Sequence, residues 1–167
     1  LLEQALVHSS YVNENPSLTP FSNERLEFLG DAVLGLIIAE KLYHDLPRHD
    51  EGQMTQIRAA LVRQETLSRV AQTLELGDFL MLGKGEAVIG GRKNAANLSS
   101  ALEALIAAAY LDQGLPATEA LVLWLFSSEI KKAIKQPGII DYKSKLQEII
   151  QSEYQQQPGY YLVVLTC

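Results

Sequence analysis

One stretch, residues 23–35, constrains the fold of this 167-residue chain more than any other part of it. As a helix it places Glu24, Glu27 and Asp31 on one face, because they are spaced by three and four residues. Apolar residues fill much of the remaining surface, so the three acids border a core. Carboxylates stacked in this way repel one another, and a hard divalent cation such as Mg2+ is the usual compensator. The stretch therefore predicts a metal-binding helix, with a solvated acidic face as the alternative.

The boundaries of this helix can also be predicted. Either Ser22 or Asn23 is expected to cap its start, because these side-chain oxygens accept bonds from free helical N–H groups. The pattern predicts that the helix ends near His44. Gly30 and Gly35 lie inside it at some cost in helix propensity, which indicates that another backbone packs closely there.

A further carboxylate lies in a second, largely apolar helix. This helix is expected from about residue 97 to residue 113, with Gly114 closing it. Its residues are nearly all small or apolar, so it should be buried. Glu103 is the one acid in its middle, and a buried carboxylate without a partner is costly. Glu103 should therefore be paired or bound to a metal ion.

The remaining patterns are also mostly helical. Residues 51–76 have the apolar period of two consecutive helices, whereas residues 78–97 are rich in loops. A last helix is expected from residue 116 to about residue 135, with Trp124 and Phe126 in the core.

Composition narrows the class of protein. With 47% hydrophobic and 20% charged residues, the chain is globular. No apolar run approaches the roughly 20 residues that cross a membrane, so we expect a cytoplasmic protein without a membrane partner. The net charge of −6 taken alone argues against a nucleic-acid partner. A cluster of acids that is neutralised by bound metal ions weakens that argument.

Several of these stretches resemble the ribonuclease III family of Mg2+-dependent endonucleases. Residues 23–35, which read NERLEFLGDAVLG, match the family signature almost residue for residue. The strings EGQMTQIRAALVRQETLSRVA at 51–71, LGKGE at 82–86 and GGRK at 90–93 are also similar to the family. The resemblance is strong from residue 6 to residue 114 and less specific after it.

The resemblance implies an activity and a set of site residues. The activity is cleavage of double-stranded RNA by metal-assisted phosphodiester hydrolysis, which processes ribosomal and other structured RNA precursors. Mg2+ is the implied cofactor, and Mn2+ can substitute for it. Glu27, Asp31 and Glu103 are implied to bind the metal, with Asp31 and Glu103 also catalytic. Glu24 and Glu65 match positions with supporting roles.

The resemblance also implies a homodimer. In the family, the aromatic residue after the second signature glutamate packs into the partner subunit, and Phe28 holds that position here. A role for Phe28 in the core of its own chain is the alternative, and sequence position does not separate the two.

The resemblance divides the chain into three parts. Residues 1–135 are expected to form the all-α ribonuclease III endonuclease domain, and residues 136–140 a linker. Residues 141–167 resemble the opening helix and first strand of an α+β double-stranded RNA-binding domain. A complete module of that kind needs more strands and a second helix, so we expect an incomplete one here.

One position departs from the family pattern. Three residues before the glutamate that Glu103 matches, the family has an aspartate ligand, and this chain has Ser100. Serine is neutral and shorter, so it ligates a metal only weakly or through water. Asp112 cannot replace it, because nine residues along a helix turn it to the side opposite Glu103. Changes in the outer shell of a metal site alone typically cost about 10- to 100-fold in metal affinity or activity. Replacement of a direct ligand by Ser100 is expected to cost at least as much.

Ser100 therefore leaves a rival interpretation open. The chain is either an active nuclease or a catalytically impaired or non-catalytic RNA-binding homologue of the same fold. The nuclease is favoured because the chain retains four acids, Glu24, Glu27, Asp31 and Glu103. A third interpretation, a helical hydrolase of small phosphate esters, has less support, because the histidines lie at no ligand-like spacing from these acids.

Overall fold

The computed structural model describes residues 1–135, and this part of the chain is largely α-helical. The elements in chain order are α1 (Leu2–Ala5), α2 (Ser9–Glu14), α3 (Glu24–Asp45), α4 (Glu51–Val62), α5 (Gln64–Thr73), α6 (Leu76–Phe79), α7 (Lys84–Val88), a 3-10 helix (Gly91–Lys93), α8 (Ala95–Leu125) and α9 (Ser127–Lys135). Residues 1–135 contain no strand, only an isolated parallel bridge between Val7 and Met81. None of the helices in this range combines the length and the apolar character that a bilayer crossing requires.

The all-α prediction is therefore confirmed for residues 1–135. The expected linker at 136–140 and the expected RNA-binding helix and strand at 141–167 lie outside the described residues. The division of the chain into these parts stays a prediction.

The boundaries of α3 agree with the sequence pattern, but its cap only partly does. The helix ends at Asp45, one residue beyond the expected end. Asn23 occupies the cap position, yet its side chain donates to the Ala5 carbonyl at 3.3 Å instead of capping the helix. The Ser22 hydroxyl accepts from the Glu24 N–H at 3.4 Å, so Ser22 makes the one capping contact.

Helices α3, α5 and α8 enclose the core. The fully buried side chains include Leu34 and Ile38 of α3, Leu67 of α5, and Leu102 and Ile106 of α8. This confirms that the apolar first part of α8 is a buried helix. Burial of its apolar side chains supplies the main stabilisation, at roughly 25 cal/mol for each Å2 removed from water.

The C-terminal part of the described chain differs from the prediction of one continuous helix. Gly114 has φ 76° and breaks α8 where the sequence places its end, but a second break at Phe126 separates α8 from α9. Phe126 is fully buried, as predicted, whereas Trp124 is 68% exposed, so its predicted core position is wrong. Two residues along a helix rotate a side chain by about 200°, so the two aromatics face opposite sides.

The loop-rich segment at 78–97 holds short helices and an exposed arginine whose side chain bonds the nearby backbone. The Arg92 guanidinium donates to the carbonyl oxygens of Gly77 at 2.9 Å, Asp78 at 3.1 Å and Leu80 at 2.9 Å. The Gly77 carbonyl also accepts from the Leu80 N–H at 3.4 Å, at the end of α6. Arg92 therefore ties this segment together.

Helices α3 and α8 pack closely at Gly30. A Cβ atom on Gly30 would overlap the backbone carbonyl of Glu103, so only glycine allows the two helices to pack at this distance. The predicted close packing is thus confirmed at Gly30. It is wrong at Gly35, where nothing lies within 4 Å of an added Cβ.

Gly30→Ala tests this contact. The new methyl group meets backbone and not the end of a flexible side chain, so α3 and α8 must move apart. We expect a loss of about 2–3 kcal/mol in the free energy of unfolding, measured by urea denaturation. Gly85→Ala in α7 is the control, because open space surrounds that position and alanine favours a helix. Equal stability of the two variants would contradict the close contact.

Candidate metal centre

The predicted acids lie where α3 crosses α8. Glu27 precedes Gly30 by three residues and Asp31 follows it by one, so both flank the point where α3 meets the backbone of Glu103. Glu103 supplies the backbone that Gly30 contacts. Glu27 and Glu103 are half-buried, whereas Asp31 is exposed. The crossing thus gathers one acid of α8 and two acids of α3 at the same place.

The charges at this crossing interact. The pKa of the Glu103 carboxyl is raised from 4.5 to about 7. Burial is the largest cause, and the negative charges of Asp31 and Glu27 raise the pKa further. Both neighbours must be close for their charges to act on Glu103. The expected proximity of Glu27, Asp31 and Glu103 is therefore present in the structure.

Ser100 also belongs to this group of side chains. It lies one turn before Glu103 on α8, and its hydroxyl donates to Glu27 Oε1 at 2.8 Å. The sequence does not predict this contact, since it indicates Ser100 only as a weak or water-mediated metal ligand. A serine hydroxyl is also a donor, but only the pairing of α3 with α8 identifies its acceptor.

The two expected supporting acids are not brought into the group. Glu24 is exposed, and its carboxylate accepts from the Ser22 hydroxyl at 2.6 Å. Glu65 is exposed at the start of α5, with its carboxylate 3.7 Å from Nε of Arg63. Neither charge contributes to the raised pKa of Glu103. Supporting roles for Glu24 and Glu65 stay predictions.

The donor set can be compared with the needs of a divalent cation. Within residues 1–135, no three Asp, Glu, His or Cys side chains form a ready-made coordination cluster. The ion pairs in this range are Lys41–Asp45, Arg63–Glu65, Arg69–Glu129 and Lys132–Glu129. None of these cations compensates the acids at the crossing. The carboxylate oxygens of Glu27, Asp31 and Glu103 carry uncompensated negative charge and therefore fit a hard cation. The three carboxylates would have to move closer together to bind it.

An apolar surface runs along the outer face of α3. Phe28 is 82% exposed, which argues against the core role considered for it, and Leu36 and Tyr43 on the same helix are also exposed. Leu36 and Tyr43 line an open cleft of about 580 Å3, together with Met54 of α4. We call Phe28, Leu36, Tyr43 and Met54 the α3 surface. Exposed apolar surfaces of this kind often mark sites of protein association.

The raised pKa of Glu103 predicts a pH-dependent change in stability. Between pH 4.5 and about 7 the unfolded chain has released the Glu103 proton and the folded chain retains it. Stability therefore falls as pH rises through this window, and the full penalty persists above it. In chelator, Glu103→Gln should be more stable than the parent at pH 8 by about 1 kcal/mol after solvent screening, and no more stable at pH 4.

Thermal unfolding at the two pH values measures this difference. Glu24→Gln is the control, since it removes an exposed acid of α3, and we expect a change within about 0.5 kcal/mol. A Glu103→Gln variant that is less stable than the parent at pH 8 would contradict the repulsion at the crossing.

Known proteins are similar to this chain in sequence and in fold. A family model described as Ribonuclease-III-like matches residues 1–129. Proteins named Ribonuclease 3 from Dehalococcoides mccartyi and Syntrophobacter fumaroxidans are 51% and 45% identical to the chain. These matches cover 98% and 97% of this chain and 69% of each relative. The nuclease domain of ribonuclease III from Campylobacter jejuni is 38% identical, with a TM-score of 0.71 over 76% of this chain and 85% of that one. The chain belongs to the ribonuclease III family.

Proposed function

We propose that this chain cleaves double-stranded RNA by metal-assisted hydrolysis, with Mg2+ held by Glu27, Asp31 and Glu103. Its family membership makes it a ribonuclease III-type endoribonuclease, and that family is generally metal-dependent. The observation that carries the proposed site is the close packing of α3 against α8 at Gly30, which brings Glu27 and Asp31 near Glu103. The pKa of Glu103 is consistent with it, because burial and then the charges of Asp31 and Glu27 raise that pKa, and no ion pair of residues 1–135 includes these acids. Ribosomal and other structured RNA precursors are the proposed substrates.

The non-catalytic alternative is not favoured. Relatives that are 51% and 52% identical to this chain over 163 and 160 aligned residues carry the name Ribonuclease 3. The acids of the proposed site are also present in this chain, although Ser100 replaces one expected ligand. Membership in this family likewise removes the support for a hydrolase of small phosphate esters.

The protein's own residues have defined tasks in this proposal. Asp31 and Glu103 are the proposed catalytic residues, and Glu27 completes the carboxylate set. Because these acids are carried by two packed helices and not by loops, their backbones are held near one another before substrate arrives, and only the side chains have to draw together around the ion. When bound, Mg2+ supplies activation of water and offsets charge on the scissile phosphate. The RNA duplex would be recognised by its shape and 2′-hydroxyls and not by base sequence.

Cleavage of a labelled RNA duplex tests this function. The parent chain should cut the duplex with Mg2+ or Mn2+ and stop when chelator is added. Asp31→Asn and Glu103→Gln should each lower the cleavage rate by about 100-fold or more, because each removes a proposed direct ligand. Asp112→Asn is the control, since it neutralises an exposed acid of α8 on the side opposite Glu103.

Two results of this assay would contradict the proposal. One is cutting by the parent that persists in chelator. The other is a loss in Asp112→Asn as large as that in Glu103→Gln. Absence of cutting by a folded parent that binds Mg2+ would restore the non-catalytic alternative.

We also propose that the α3 surface binds a second copy of this chain. Phe28, Leu36 and Tyr43 are 82%, 53% and 69% exposed, so much of their apolar surface is open to a partner. The cleft that Leu36 and Tyr43 line is mainly apolar. The Campylobacter jejuni structure is described as flexible in a region involved in dimer formation. In a homodimer each subunit would cut one strand, which leaves short 3′ overhangs.

Phe28→Ala tests the homodimer. The side chain contributes little to the fold of its own chain, so the variant should fold normally and dissociate at concentrations where the parent is dimeric. Sedimentation velocity measures the change in mass. Val88→Ala is the control, because Val88 is 85% exposed on α7, away from the α3 surface. A Phe28→Ala variant that dimerises like the parent would show that Phe28 is not the dimer contact.

A further inference from the structure

We infer that Ser100 is a positioning residue for Glu27. Its hydroxyl holds one oxygen of the Glu27 carboxylate and leaves the other available to the metal ion. This inference rests on the proposed function. The family pattern has an acid at this position. In this chain the same position carries a hydrogen-bond donor to an acid.

The two neighbouring serines of α8 show that this contact is specific to Ser100. The Ser99 hydroxyl donates to the Ala96 carbonyl at 3.0 Å, which is the usual local bond of a serine within a helix. Ser100 instead donates across to Glu27 of α3 at 2.8 Å. Two adjacent residues of the same type therefore use their hydroxyl groups differently, one within its helix and one between helices.

The backbone contact at Gly30 fixes the geometry of this bond. Glu27 precedes Gly30 by three residues, and Ser100 precedes Glu103 by three. The pair therefore lies about one helical turn from the contact between Gly30 and Glu103. Since Gly30 and Glu103 meet backbone to backbone, the register that places Ser100 against Glu27 is held by the fold and not by the serine itself.

The chemistry of the donor suits the charge at the crossing. A carboxylate at position 100 would place a fourth acid against Glu27, and two ionised carboxylates have no proton to share. A hydroxyl instead donates to a carboxylate oxygen of Glu27, as it does here at 2.8 Å. It also restricts the rotation of a long side chain, which lowers the entropy lost when Glu27 binds an ion.

Calorimetric titration of the 167-residue chain with Mg2+ tests the role of Ser100. Ser100→Ala should weaken Mg2+ binding by about 10-fold or more, the size of effect expected when a support for a ligand is lost. Ser100→Thr keeps the hydroxyl and should stay within about 3-fold of the parent. Ser99→Ala is the matched control and should not change the affinity.

A second measurement separates positioning from a general structural effect. If Ser100 acts through Glu27, then Ser100→Ala should have no further effect on Mg2+ affinity in a Glu27→Gln background. Circular dichroism establishes that each variant is folded before titration. Parent affinity in Ser100→Ala, or an undiminished effect in the Glu27→Gln background, would overturn the inference.

Failure of this inference and failure of the proposed function give different results. If the parent cuts duplex RNA and Ser100→Ala binds Mg2+ normally, only the role of Ser100 is wrong. If the parent binds Mg2+ in a manner that depends on Ser100 but cuts no RNA, the positioning role stands and the nuclease function is wrong. Absence of Mg2+ binding by the parent would overturn both.

Discussion

The contact between Gly30 and the backbone of Glu103 is the constraint on which the rest of the site depends. Only a glycine lets α3 and α8 approach so closely, and this approach brings the acids of the two helices together. A larger residue at this position would separate the helices, and each carboxylate would then be solvated on its own. The buried residues of α3, α5 and α8 stabilise the crossing against the repulsion that it creates. The fold thus holds an unfavourable charge arrangement in place, as functional sites often do.

The acidic crossing and the polyanionic substrate pose a common problem. The chain has a net charge of −6, and the crossing concentrates carboxylates that no cation of residues 1–135 pairs with. RNA phosphates would be repelled by such a surface. In the proposed function, a bound divalent cation reverses the local sign of the charge, so one ion both relieves the repulsion between the acids and admits the substrate.

Sequence reasoning succeeded where one helix decides the outcome. The spacing of acids in α3 and the apolar composition of α8 indicate which faces are acidic or buried, and the break at Gly114 follows from its place after an apolar run. It was less reliable where two elements must meet. Gly30 and Gly35 look alike in sequence, yet only Gly30 faces another backbone. The Ser100 bond to Glu27 depends on the register between helices, and the exposure of Trp124 depends on where the chain turns at Phe126.

The position of a bound metal ion tests the proposed site at the α3–α8 crossing most directly. Crystals of the chain grown with Mn2+ can be measured at the manganese absorption edge, where anomalous scattering locates the ion independently of the protein atoms. If Glu27, Asp31 and Glu103 hold the ion, the peak lies within coordination distance of their carboxylate oxygens. A fully occupied Mn2+ site elsewhere, and no ion at these three carboxylates, would contradict the proposed metal site.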